Sequence, residues 1–141
     1  NMIISNEIKS LLSSHNIGHL ATTNNQNIPR VIPICFIELD SHIYSILDKK
    51  PKSIPVNLLA RVKNIESNPY VSFIIDYYDE DWKSLWYVQV NGTAQLLYKP
   101  KSQVIHKLIH KYPNYENMEI ENQPIIKISP TSINKWGERF T

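Results

Sequence analysis

The 141-residue chain holds only three glycines, Gly18, Gly92 and Gly137, and this scarcity constrains its architecture more than any other feature. A Walker-type phosphate loop or a G-x-G-x-x-G dinucleotide turn needs clustered glycines for tight turning and close backbone approach. Neither pattern can be written with these three. A phosphate, if one is bound, must be gripped by side chains. What remains is a run of strand-like signals, short apolar stretches separated by polar turn formers.

Ser5 is placed to cap a helix whose apolar face is Ile8, Leu11 and Leu12. Ile17–Thr23 reads as a strand, Asn24–Asn27 as a turn, and Val31–Ile37 as a strand apolar on both faces. Pro33 inside that run has no N–H for a ladder, which predicts a sheet edge, a bulge or a gap facing a ligand. Leu39–Ser41 turns the chain into a further strand, His42–Leu47. An amphipathic segment over Ile54–Ile65 follows, with Leu58, Leu59 and Val62 as its buried side. Tyr70–Tyr78 and Leu85–Tyr98 are the next strands. The second of these carries Trp86, Val88 and Val90 on one face and an expected bulge at Asn91-Gly92.

Pro100 opens another helix, striped by Val104, Ile105, Leu108, Ile109 and Tyr112. A loop over Asn114–Asn122, a last strand at Pro124–Ser129 and a tail at Ile133–Phe140, packing over a cavity mouth, complete the chain. Strands that are mostly neighbours in sequence predict an α+β, mainly antiparallel barrel and not a parallel α/β sheet. With no linker or repeat, one domain over residues 1–141 is expected.

Fifteen Lys and Arg against thirteen Asp and Glu leave a net charge of +2. That is too little to imply a nucleic-acid or membrane partner. A sole cysteine, Cys35, excludes an internal disulfide and a cysteine-based zinc site. No apolar run reaches the roughly 20 residues of a membrane span, and the N-terminus has no signal-peptide pattern. The expected location is cytoplasmic.

Charge is concentrated locally. Lys49, Lys50, Lys52, Arg61 and Lys63 fall within Asp48–Pro69, between two strands. Arg offers a planar fork and Lys a point charge to phosphate oxygens, although such charge runs are more often the solvated face of a helix. Tyr77, Tyr78, Trp82, Trp86 and Tyr87 form an aromatic cluster. It suits a core, an oligomer interface, or a wall for a planar heterocycle. His106 and His110 share a helix face at i, i+4, but the glutamate of H-E-x-x-H and a third ligand are both missing, so no metal is expected. No spacing points to a Ser-His-Asp arrangement. Acid–base hydrolysis therefore has no support in the sequence.

Three stretches taken together resemble a known family: IGHLATTNNQNIPRVIPICF, YSILDKKPK, and LLARVKNIESNPYVSFIIDYYDEDWKSLWYVQVNGTAQLL. The combination K-N-I-x-x-N-P-x-V with D-x-Y-D-x-D-W-x-x-L-W is similar to FMN-binding split β-barrel proteins of the pyridoxamine 5′-phosphate oxidase class. It is most similar to the branch regarded as dependent on the deazaflavin coenzyme F420. The resemblance implies a Greek-key split barrel with two or three short helices, and a homodimer with cofactor at the interface. It also implies an oxidoreductase passing a hydride between coenzyme F420, or FMN, and a small organic substrate. By the same likeness, Lys49, Lys52, Arg61, Lys63 and Asn64 are expected around the phosphate, with Pro33, Ile34 and Cys35 beneath the ring. Trp82 or Trp86 of the other subunit is expected over it. Tyr70 departs from the pattern, standing where relatives often carry arginine. A non-catalytic flavin- or heterocycle-binding storage or sensor protein is the alternative.

Overall fold

The computed structural model describes residues 2–47 and 60–141. The elements in order are α1 (Asn6–Ser14), β1 (Gly18–Thr23), β2 (Pro29–Ile34), β3 (Ile37–Leu39), β4 (His42–Ile46) and α2 (Ala60–Ser67). They continue with β5 (Tyr70–Tyr77), β6 (Trp86–Leu97), α3 (Ser102–Lys111) and β7 (Ile125–Gly137). The strands form one antiparallel sheet in the order β2-β1-β5-β6-β7-β4-β3.

β2 and β3 lie on opposite edges of this sheet, yet only Cys35 and Phe36 separate them in sequence. Three Cα steps reach at most about 11 Å. The sheet must therefore curl until its two edges meet at that corner, which makes it a split half-barrel. The single strand expected over Val31–Ile37 is in fact two, and the corner explains why the run is apolar on both faces. Ile34 and Phe36 enter the barrel core, while Ile37 enters a second cluster outside it. Pro33 stands on an edge strand, opposite His19, where its missing N–H interrupts no inner ladder.

The barrel core takes alternate residues of each strand: Leu20, then Val71, Phe73 and Ile75, then Trp86, Val88 and Val90, all buried. Helix α1 brings Ile8, Leu11 and Leu12 to this core, its start capped by Ser5 Oγ accepting from the Ile8 N–H at 3.3 Å. Helix α2 brings Val62 and Ile65. The second cluster lies beneath α3, where Val104, Ile105 and Leu108 meet Ile37, Tyr44, Ile46 and Ile125.

β7 runs thirteen residues, well beyond the expected Pro124–Ser129. It stays paired with β6 on both sides of a register shift at Asn91/Gly92, where Thr131 is the extra residue: Asn91 lies opposite Ser132 and Gly92 opposite Pro130. Gly92 permits this, since a Cβ there would run into the Ser129 carbonyl. Turn chemistry is equally specific between β3 and β4. Asp40 and Ser41 both have positive φ, 50° and 64°, the signature of a two-residue type I′ hairpin.

Candidate functional site

Of the residues expected around a phosphate, Arg61, Lys63 and Asn64 are described, all on α2, and they differ in exposure. Helix α2 begins at Ala60, so Arg61 sits in its first turn, half-buried, while Lys63 is exposed. Asn64 is buried and its Nδ2 donates to Thr22 Oγ1 at 3.1 Å, which fixes α2 to β1. Lys49 and Lys52 lie outside the described residues. One cation was not singled out by sequence reasoning: Arg30, exposed on β2, pairs in register with Thr22. Its signal was available, because Arg30 lies only three residues before Pro33 on the same strand.

The expected ring floor lies further along β2, past Arg30. Pro33 is exposed, Ile34 is buried in the core, and Cys35 is half-buried at the corner. Three groups pin that corner. Ser45 Oγ donates to the Cys35 carbonyl at 2.7 Å. The Tyr112 hydroxyl accepts from the Phe36 N–H at 2.9 Å. Lys111 Nζ donates to the Phe36 carbonyl at 2.9 Å and to the Leu12 carbonyl at 3.0 Å, and lies 3.8 Å from the Phe36 ring centroid. Burial, with Lys107 adding to it, brings the Lys111 ammonium down to about 8. Burial likewise pushes the Tyr112 phenol up to about 12.

The two expected lid residues have different surroundings. Trp86 is 5% exposed, stacked 6.3 Å from Tyr77 and edge-on to His15 at 5.0 Å. Trp82 is 71% exposed on a 3-10 turn at Trp82–Ser84. That turn is started by the Asp81 carboxylate accepting from the Lys83 N–H. Trp82 walls a cavity of about 560 Å³ with Lys83, Lys135, Trp136 and Phe140, so the tail does line a cavity, as its composition suggested. A second hollow of about 280 Å³ adjoins it, sharing Leu85 and Trp136. Trp136 itself stacks on Tyr87 at 5.9 Å. Nearby, Tyr77 donates to Asp79 at 2.9 Å, which raises the phenol, while the Asp81 N–H and this bond lower the Asp79 carboxyl.

Strand register measures how far apart these groups are. Thr22 lies in the row of Gly92, six residues along β6 from Trp86. At 3.3 Å per residue that is roughly 20 Å. One chain therefore presents a cationic end, by α2 and Arg30, and an aromatic end, by Trp82 and Trp136. Between them, among the described residues, the outward face of β1, β5 and β6 is uncovered. It shows a polar ladder of Ser72, Gln89, Asn91, Ser132 and Asn134, with Val31, Tyr70 and Trp136 exposed around it. Among the described residues no three His, Cys, Asp or Glu side chains are grouped to hold a metal.

A curled antiparallel half-barrel with a pinned corner defines a split-barrel protein. The chain belongs to the pyridoxamine 5′-phosphate oxidase family, whose model matches residues 4–137. A comparison with curated proteins finds no match. Among solved structures, it is similar to a conserved hypothetical protein of Mycobacterium tuberculosis, with TM-score 0.78 and 19% identity over 98% of this chain and 88% of that one. It is also similar to HutZ, the heme storage protein of Vibrio cholerae, at TM-score 0.72 and 15% identity over 96% and 95% of the two chains. An F420 reductase aligns at TM-score 0.69 and 21% identity, covering 93% and 98%. At such identities the likeness is one of fold.

Proposed function

We propose that the protein is a flavin- or deazaflavin-dependent oxidoreductase, working as a homodimer with its cofactor at the interface. Coenzyme F420 is the first choice and FMN the second, and the partner in hydride exchange is a small organic substrate. The observation that carries this reading is the separation of the cationic and aromatic ends by roughly 20 Å along one chain. Two copies packed through their open faces would bring one chain's cationic end to the other's aromatic end. The cofactor's phosphate then falls to Arg61 and Lys52, with Arg30 and Lys63 nearby. Pro33 and Cys35 border the ring at the corner, and Trp82 of the partner subunit closes over it. When bound, such a cofactor supplies the hydride chemistry. The chain's own part is to orient the ring and keep water from it, which accords with the lack of any catalytic dyad in the sequence.

A second reading, non-catalytic storage or sensing of a heterocycle, is favoured by the exposed aromatic cavity and by the fold shared with a heme storage protein. One titration separates them. Purified protein is titrated with coenzyme F420 and with FMN, following absorbance and fluorescence, and then mixed with a panel of electron acceptors. Tight binding followed by turnover supports the enzyme, and binding without turnover supports storage. No binding of either at micromolar levels sinks the flavin and deazaflavin reading, whether catalytic or storage. Arg61→Ala is expected to weaken binding at least tenfold with the folded state intact by circular dichroism. Light scattering that reports only monomer in the bound state would remove the interface from the proposal.

A further inference from the structure

On the side of the molecule carrying α1, β3 and α3 lies a cleft of about 330 Å³ that the proposed cofactor site does not use. Its walls are built by helical spacing. Lys9 and Ser13 share one face of α1 at i, i+4, and Lys107, His110 and Lys111 share one face of α3 at i, i+3 and i+4. β3 contributes Glu38 between them. Surface lysines ordinarily extend into water, but two of these are tied back. Lys107 Nζ donates to the Glu38 backbone carbonyl. Lys111 Nζ donates to the carbonyls of Leu12 and Phe36.

The charges do not cancel. Three ammonium groups face a single carboxylate in the cleft, that of Glu38. Glu38 is itself occupied, accepting from the Ser41 N–H at 2.7 Å and lying 3.9 Å from Lys9. Lys107 and Lys111 have only neutral carbonyls as hydrogen-bond partners. A half-buried ammonium without a counter-charge is costly to keep, and the downward pull on Lys111 is the mark of that cost. An anion in the cleft would relieve it.

We infer that this cleft is a binding site for a small phosphate-bearing molecule, separate from the barrel's cofactor site. Phosphate is favoured over carboxylate because the donors are point-charge ammoniums plus an imidazole and a hydroxyl, with no guanidinium fork to match a planar carboxylate. A cleft of this volume accommodates a small organic phosphate. The site also touches the barrel corner, since Lys111 holds Phe36 next to Cys35. Occupancy there and the placement of the corner are thus linked through one ammonium.

The test uses inorganic phosphate as probe in isothermal titration at fixed ionic strength, with citrate as the carboxylate arm. Phosphate is expected to bind wild type, with affinity falling at least tenfold in the double variant Lys9→Gln/Lys107→Gln and unchanged in Arg61→Ala. Loss in Arg61→Ala with retention in the double variant would place the ion at the barrel end and overturn the assignment. So would absence of binding at 10-millimolar order, or citrate binding as tightly as phosphate. A pH series with sulfate, which does not titrate in the range, adds a second readout. The charged and titratable groups around Lys111 are Lys9, Glu38, Lys107, His110, Cys35 and Tyr112. With the ammonium near 8, affinity should fall up to about tenfold between pH 7 and 9, and a flat profile in wild type would count against Lys111 as a ligand.

Discussion

Replacing Tyr112 by phenylalanine removes one oxygen atom and keeps the ring, so it tests the barrel corner with little disturbance elsewhere. The hydroxyl accepts from the Phe36 N–H at 2.9 Å and lies 3.0 Å from the carbonyls of both Phe36 and Asn16, donating to one at a time. The Phe36 carbonyl keeps Lys111 in the variant. The Phe36 N–H belongs to a residue with 0% exposure and loses its partner. One lost bond contributes about 1 kcal/mol, and an orphaned buried donor about 1–3 kcal/mol including that bond. We therefore expect Tyr112→Phe to cost about 2 kcal/mol, or roughly 7 °C in Tm for a chain of this length. Urea denaturation gives the free energy. Amide hydrogen exchange should also show the Phe36 N–H losing protection more than its neighbours. A loss below about 0.5 kcal/mol would mean that water replaces the hydroxyl, and the corner would then not be held by Tyr112 in the manner described.

Gly92→Ala should cost about 2 kcal/mol or more, since the added carbon meets the Ser129 backbone and cannot be relieved by a side-chain turn; an unchanged urea midpoint would refute the bulge geometry. Trp86→Ala should destabilise by about 3–5 kcal/mol as a core cavity. Trp82→Ala, at an exposed position, should leave stability within about 0.5 kcal/mol and lower cofactor affinity, which a paired melt and titration would check. Lys111 makes stability depend on pH with a definite sign. Its folded value is depressed to about 8 from 10.5, so between those limits the unfolded chain binds more protons and stability rises with pH. Wild type should therefore gain on Lys111→Met between pH 7.5 and pH 9.5 in matched urea curves. A constant difference would contradict the burial of that ammonium. Tyr112 titrates in both proteins and drops out of the comparison.

Much of the barrel was legible because its strands alternate. Trp86, Val88 and Val90 were placed on one face by period alone and are buried together. The stripe of α3 was similarly clear, with Val104, Ile105 and Leu108 covered. Val31–Ile37 was misjudged because a chain turning from one core to another looks the same in sequence as a strand buried on two sides. The length of β7 was missed for the opposite reason. Its second half faces outward with Ser132, Asn134 and Trp136, so pairing with β6 and not apolar alternation keeps it extended. At the site, residue types pointed to a cationic and an aromatic element. They could not say that these lie at opposite ends of one sheet, which is a matter of register. Nor does any local pattern mark Lys111, whose partners Leu12 and Phe36 lie 99 and 75 residues away.

The composition of β2 bears on how such a protein survives at high concentration. An open sheet edge offers unpaired N–H and C=O groups to any passing strand. Among the described residues, β2 pairs with β1 on one side only, over six consecutive residues from Pro29 to Ile34. For that ladder to run unbroken, Pro29 and Pro33 must turn their nitrogens outward. Val31 shares their parity, so of three outward-turned nitrogens only one carries a hydrogen. A stray strand finds acceptors along this edge but almost no donors, while at the other rim β3 is only three residues long. The barrel can thus remain split without inviting edge-to-edge aggregation.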